Sequence, residues 1–239
     1  MKKAPSSAFK CETDTADTHR REVRDMFDVV APRYDLMNDV MSMGIHRLWK
    51  RKCVNLLSPE NGEIVVDLAG GTGDLARKFS ARGAQAIVCD PCYAMMAATK
   101  QSEHPFLHVA GYGEKLPFAD KSIDALSISF GLRNMSDPQA GLAEIYRVLK
   151  PGGRFLCLEF SHAQAWLKPF YDAYSLHIIP LLGAAIAGEK SAYTYLVRSI
   201  REFPNQEDLA MYMKQVGFTN VEYTNLSFGI AAIHQGKKA

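Results

Sequence analysis

The chain has no apolar run long enough to cross a bilayer: a spanning helix needs roughly 20 apolar residues, and LHIIPLLGAAIAG, from Leu176 to Gly188, falls short of that. Cysteine is scarce. The five present (Cys11, Cys53, Cys89, Cys92 and Cys157) are odd in number and scattered, which argues for free thiols in a reducing compartment. Cys89 and Cys92 form a CxxC, but no second pair supplies further zinc ligands, so neither a metal nor a redox role is expected. Neither sign of charge dominates either, with 28 Lys and Arg against 26 Asp and Glu for a net charge of +2. Without a basic run or an aromatic ladder, no nucleic-acid partner is expected. The first residues, up to Val23, lack the apolar core of a secretory signal, and Glu12, Asp14 and Asp17 set them apart from an acid-poor mitochondrial transit peptide. No internal repeat or low-complexity tract is found.

What the chain does have is ordinary globular composition, 47% hydrophobic and 23% charged over 239 residues, enough for one well-buried domain with an appended subregion. Its organising stretch is EIVVDLAGGTGDLARKFSARGAQAIVCD, from Glu63 to Asp90. An apolar run ends in Asp67, Gly70, Gly71 and Gly73 precede a helical pattern, and a second apolar run ends in Asp90. That is a nucleotide-binding βαβ unit. Gly71, Gly73 and Ala76 also satisfy the dinucleotide fingerprint, so charge must separate the ligands. A pyrophosphate over this turn would meet Asp67 and Asp74; a carboxylate about 6 Å from a phosphate charge, at an effective dielectric near 20, costs about 3 kcal/mol. S-adenosylmethionine carries a sulfonium and an ammonium instead and turns both carboxylates into attractions, while Asp90 can accept from both ribose hydroxyls.

Upstream, Val23, Met26, Phe27 and Val30 fall at helical spacing, and Ala31 and Pro32 are expected to stop that helix. The segment PRYDLMNDVMSMGIHRLWK then reads as a connection into a helix whose Ile45, Leu48, Trp49, Cys53, Leu56 and Leu57 share a side. Trp49 and the methionines suit a core, and the polar residues suit a substrate-side cap. Beyond Asp90 the pattern predicts a helix from Tyr93 to Lys100 and strands from Phe106 to Ala110, Ser122 to Phe130 and Arg154 to Phe160. Asp137 and Pro138 open the helix between the last two. Ligands of an open α/β sheet collect at the carboxyl ends of its strands, which points to Asp67, Asp90, Ser129 with Arg133 and Asn134, and Glu159 with Ser161. From His162 to Pro204 the chain is apolar and aromatic, broken by Pro180, Gly183 and Gly188, and reads as an insertion over that edge. LHIIPLLGAAIAG within it suits simple core, a lipid-tail groove or an interfacial segment. Asn205 caps a last helix ended by Gly217, and two β-like runs (Thr219 to Leu226, Gly229 to Gln235) follow. The expected organisation is a disordered 1–16, an N-terminal helical cap at 17–60, a cofactor-binding α/β core at 61–161, an apolar helical lid at 162–204, and a last helix with antiparallel strands at 205–239.

YDLMNDVMSMGIHRLWK, VDLAGGTGDLARKFS, SISFGLRNMSD and RVLKPGGRFLCLEFS, with SIREFPNQEDL and NLSFGIAAIH further on, resemble the signature segments of the UbiE/MenG-type C-methyltransferases of ubiquinone and menaquinone biosynthesis. The resemblance implies a Rossmann-like class I methyltransferase fold: a mostly parallel seven-stranded sheet with one antiparallel strand and helices on both faces. It also implies S-adenosylmethionine as cofactor and methylation of a ring carbon of a prenylated benzoquinol or of demethylmenaquinol. By motif position the cofactor contacts are Thr72, Asp90, Ser129, Tyr112 and Gly113, joining Asp67, Gly71 and Gly73 of the turn; members often carry Asn or Asp where Tyr112 stands. A ring carbon becomes nucleophilic when a neighbouring hydroxyl ionises, and lowering a phenol pKa near 10 by about three units takes roughly 4 kcal/mol. Arg133 is the expected stabiliser of that phenolate, with Asn134, Tyr34, Asp35 and His46 as orienters or proton acceptors. The expected partners are a polyprenylated quinol, a membrane surface touched transiently, and a second copy of the chain or a quinone-biosynthesis complex. The expected location is the cytoplasm or the inner-membrane surface, on the matrix side in a eukaryote. Two alternatives stay open: an O- or N-methyltransferase of a soluble small molecule, and a non-catalytic subunit that binds quinone intermediates.

Overall fold

A computed structural model describes residues 16–99, 105–178, 181 and 190–239. The expected disordered segment ahead of Ala16, Cys11, Lys100, and Pro180, Gly183 and Gly188 with most of LHIIPLLGAAIAG lie outside the described residues. The strands are β1 (Ile64–Leu68), β2 (Gln85–Asp90), β3 (Leu107–Ala110), β4 (Ile123–Ser129), β5 (Leu149–Phe160), β6 (Phe218–Leu226) and β7 (Ala231–Lys238). They form one sheet in the order β3-β2-β1-β4-β5-β7-β6. β1 to β5 pair in parallel, and β7 runs antiparallel between β5 and β6. The helices are α1 (Ala16–Val30), α2 (Tyr34–Ser42), α3 (Ile45–Leu57), α4 (Asp74–Ser80), α5 (Tyr93–Ala97), α6 (Pro138–Val148), α7 (Lys168–Ala173), α8 (Lys190–Glu202) and α9 (Gln206–Val216).

Alternation along the strands sorts the core into two layers. Val65, Ala86, Val88, Ala125, Leu156 and Leu158 pack with Trp49, Cys53 and Leu57 of α3 and with Leu75 and Phe79 of α4. Val66, Leu68, Leu126, Ile128, Phe155 and Cys157 pack with Leu142 and Ile145 of α6 and with Leu209 and Met213 of α9. Both faces are therefore covered, as a parallel sheet requires. A third cluster joins Val30 and Met37 of the N-terminal helices to Tyr193 and Val197 of α8.

Three expectations are corrected. The first helix does stop at Ala31 and Pro32, α1 ending at Val30, but the segment after it is not an open connection: Ala31–Arg33 forms one 3-10 turn that leads directly into α2, because a proline in a first turn lacks only an N–H that has no helical partner. YDLMN is thus helical, and the break falls at Met43 and Gly44, both left-handed, before α3. Strand β5 begins at Leu149 rather than Arg154, the residues from Lys150 to Gly153 bulging out between the pairs Ile123–Leu149 and Ala125–Arg154. Met43 is 81% exposed, unlike buried Met37, Met95 and Met96. The caps hold as read: the Asp137 side chain accepts from the N–H groups of Gln139 and Ala140, and that of Asn205 from Asp208. The Cys92 thiol donates to Asp28 at 3.0 Å, and Cys89 Sγ lies 4.0 Å from Gly111 C=O.

Candidate active site

Chain order reverses at β1, which has β2 on one side and β4 on the other, and a cavity of about 100 Å3 opens at the carboxyl ends of these strands. Asp67, Gly71, Thr72, Asp90 and Ser129 line it. Two buried carboxyls brace the glycine turn. Asp67 accepts from the Ser127 hydroxyl at 3.1 Å and from Ala76 N–H at 3.2 Å. Asp90 accepts from Gly71 N–H at 2.9 Å and from Cys92 N–H at 2.8 Å. Burial raises both, Asp67 to about 7, against the pull of Lys50 and of these hydrogen bonds. Gly70 is small because a Cβ there would stand 2.9 Å from the Asp67 carboxylate.

Gly73 and Asp74 stand off the cavity wall. Gly73, at φ +73°, is absent from the cavity wall, and the space beside its Cα is filled by the Phe106 ring. It precedes α4 as its N-cap and leaves room for that ring. The Asp74 carboxylate is held by Lys50 at 3.1 Å, by Arg77 at 3.9 Å and by Lys78. Burial works to raise this carboxyl, but Lys50 and Lys78 prevail and hold it well below the usual carboxylate range. Of the two acids invoked to attract a cationic ligand, only Asp67 opens on the cavity. Tyr112 and Gly113 do line it, and the Tyr112 ring also carries the Arg20 guanidinium of α1, 5.5 Å from its centre.

A second cavity, of about 340 Å3, lies against the first and is walled mainly by apolar and aromatic side chains such as Met37, Trp49, Phe160, Tyr171 and Tyr193. Phe27, Tyr34, Lys50, Phe130 and Asn134 line both spaces. Arg133 reaches the larger one with its side chain only 7% exposed. Its Nη1 donates to both oxygens of buried Glu159, at 2.9 and 3.2 Å, and to Phe130 C=O at 2.6 Å, leaving Nε without an acceptor. Burial raises the Glu159 carboxyl and Arg133 opposes the rise. Asn134 donates to Phe130 C=O and accepts from the Tyr195 hydroxyl. His46 shares a 2.8 Å hydrogen bond with Ser42, and burial, helped by the charge of Lys50, lowers its pKa. Asp35 lies on neither wall; it accepts from the Thr72 hydroxyl at 3.2 Å.

The sequence profile of the ubiE/COQ5 methyltransferase family matches residues 13–238. The chain belongs to that family. A ubiquinone/menaquinone biosynthesis C-methyltransferase UbiE of Rubrivivax gelatinosus is 51% identical over 94% of this chain and 91% of its own length. A mitochondrial 2-methoxy-6-polyprenyl-1,4-benzoquinol methylase of Dictyostelium discoideum is 41% identical, over 96% and 85%. Among solved structures, phosphoethanolamine N-methyltransferase 2 of Haemonchus contortus with S-adenosylmethionine bound superposes with a TM-score of 0.67 at 14% identity, covering 90% of this chain and 60% of that one. The [4+2]-cyclase SpnF gives the same TM-score at 15% identity, over 92% and 96%. A fold shared by an N-methyltransferase and a cyclase does not specify a reaction. Family membership does, and the protein is an S-adenosylmethionine-dependent C-methyltransferase.

The smaller cavity of this methyltransferase suits that cofactor. The buried Ser129 hydroxyl on its wall has no hydrogen-bond partner among the described residues, and Asp67 and Asp90 present carboxylates with no phosphate-binding cation in the turn itself. Two functional features escaped the sequence reading. Glu159 was placed at a strand end without its pairing to Arg133. Lys50 was passed over as part of an amphipathic helix, although its spacing from His46 puts both on one face of α3.

Proposed function

We propose that the larger cavity receives the ring of a prenylated benzoquinol or naphthoquinol and that one ring carbon is methylated there. The observation that carries this reading is the shared wall: an apolar space with a buried arginine meets the cofactor cavity at Tyr34, Phe130 and Asn134. When bound, S-adenosylmethionine supplies an electrophilic methyl group on a cationic sulfur. Asp67, Thr72, Asp90, Tyr112, Gly113 and Ser129 hold it.

The acceptor side must favour a phenolate. A lone guanidinium about 4 Å from a phenolate would contribute about 4 kcal/mol at an effective dielectric of 20. Glu159 sits directly behind Arg133, and its carboxylate roughly 7 Å from the same oxygen takes back about 2 kcal/mol. Arg133 therefore supplies about half of what was asked of it. The remainder falls to neutral donors on the wall, the Asn134 amide and the Tyr34 hydroxyl, since a hydrogen bond to a charged group is worth about 1.5 to 3 kcal/mol. His46, kept neutral by burial, is the proton acceptor; Asp35, off the wall, acts through Thr72.

The polyprenyl tail leaves through the outer mouth, where Met43 and Phe170 line the cavity yet are 81% and 71% exposed. Through this apolar mouth a long tail continues onto an apolar surface, and the protein meets the membrane from outside. No helix among the described residues is long and apolar enough to cross one. The test is methyl transfer from labelled S-adenosylmethionine to tailed benzoquinol and naphthoquinol, with mass spectrometry of the product ring. Label on oxygen, or tail-free acceptors used equally well, would refute the reading.

A further inference from the structure

We propose that Lys50 is the counter-ion for the amino-acid carboxylate of S-adenosylmethionine. This rests on seating the cofactor in the smaller cavity. The methionine end of the cofactor bears an ammonium and a carboxylate on one carbon, so a cavity that offers Asp67 to the first must still accommodate the second. Asp67 and Asp90 already line this space, and a third carboxylate among them needs a cation. Three cations reach the wall: Arg20, Arg24 and Lys50. Arg20 Nε is buried without a hydrogen-bond partner among the described residues, but its guanidinium is turned to the Tyr112 end of the cavity, 5.5 Å from that ring, 3.6 Å from Glu114 and 3.1 Å from Asp17, and Arg24 pairs with Asp25 at 3.1 Å.

Lys50 differs in position and in charge balance. Its side chain is 13% exposed and its ammonium lies 3.1 Å from Asp74. Asp74 is held by Arg77 and Lys78 as well, so it does not use up the Lys50 charge; it aims one of three ammonium donors and leaves the others. Burial works to deprotonate Lys50, but Asp74, Tyr34 and Asp67 together keep its pKa above the ordinary lysine value. Lys50 is thus a fixed cation beside Asp67.

Calorimetric titration with S-adenosylmethionine, S-adenosylhomocysteine and decarboxylated S-adenosylmethionine tests this without turnover. The protein should bind the first two more tightly than the decarboxylated compound. Lys50→Met should weaken the two carboxylate-bearing ligands about 10- to 100-fold and leave the decarboxylated one within about twofold; Lys50→Arg should keep most of the affinity. Because the decarboxylated ligand reads the same folded site, its unchanged binding separates a lost counter-ion from a damaged cavity. Equal losses for all three ligands in both variants would overturn the proposal. So would unchanged S-adenosylmethionine affinity with lowered turnover, which would move Lys50 to the acceptor. Failure of the unaltered protein to bind any of the three would instead refute the seating on which the proposal stands, and the proposal with it.

Discussion

Removing Arg133 should expose a stability debt before it exposes a catalytic one. Glu159 is 1% exposed, and in Arg133→Ala it keeps only the backbone donors Arg133 N–H, at 3.3 Å, and Phe160 N–H, at 3.0 Å. Leaving one partner of a buried ion pair uncompensated costs about 3 to 5 kcal/mol. With a urea dependence near 2 kcal/mol per molar, that is a fall of about 1.5 to 2.5 M in the unfolding midpoint at unchanged slope. Arg133→Ala/Glu159→Gln should recover most of the loss, because a neutral amide needs no counter-charge. The sign of the pH dependence follows from the raised Glu159 carboxyl. A native state that binds its proton more tightly than the unfolded chain does is progressively penalised as pH rises above the unfolded value. The single variant should therefore lie closest to the unaltered protein near pH 4 and furthest from it at pH 8. If single and double variants unfold at the same urea concentration, the carboxylate is not what Arg133 compensates, and the paired-charge account of the acceptor site fails.

In the proposed seating Asp67 meets the cofactor ammonium, an attraction it exerts only when ionised, and burial pushes its carboxyl up to about 7. S-adenosylmethionine affinity should therefore rise with pH up to that value, with proton release on binding near pH 6 in calorimetry; Asp67→Asn should flatten this limb and weaken binding. Asp90→Ala should weaken the cofactor and also lower stability by about 1 to 3 kcal/mol, since Gly71 and Cys92 N–H lose their acceptor. Thermal unfolding without ligand separates the two effects. Gly73→Ala should destabilise through its φ of +73° and the Phe106 ring. Phe106→Leu in that background should restore part of the melting temperature, and no recovery would mean that backbone strain alone is responsible.

Strands and caps were legible because their signals are local. Apolar runs of the right length end in Asp67, Asp90 and Ser129, and Asp137 and Asn205 carry the side-chain oxygen that the next N–H groups need. The stop of α1 before Ala31 was legible, but the helix that resumes at Tyr34 was not, because proline ends one helix and is equally compatible with opening the next turn. The surroundings of Gly73 were not legible because a glycine's sequence context does not say whether a ligand or a side chain occupies the space it frees. That depends on Phe106, 33 positions away in the chain.

Charge was the least legible property, for the same reason. Counting Asp67 and Asp74 as two attractions treated carboxylates as isolated groups, and treating Arg133 as a lone cation did the same. In the folded chain Asp74 is surrounded by three cations and Arg133 is answered by Glu159. Both corrections shift the charge balance: Asp67 remains as an acid of the smaller cavity, and Lys50 stands as the cation on the wall between the two. A cationic methyl donor and an acceptor that becomes anionic must approach across that wall. A free positive charge deep in the acceptor cavity would favour the phenolate, but by holding it in place it would favour the ground state as well. The neutral Arg133–Glu159 pair offers directed donors without adding a second uncompensated charge to that of Lys50, so in the proposed arrangement much of the attraction comes from the approach of sulfonium to phenolate.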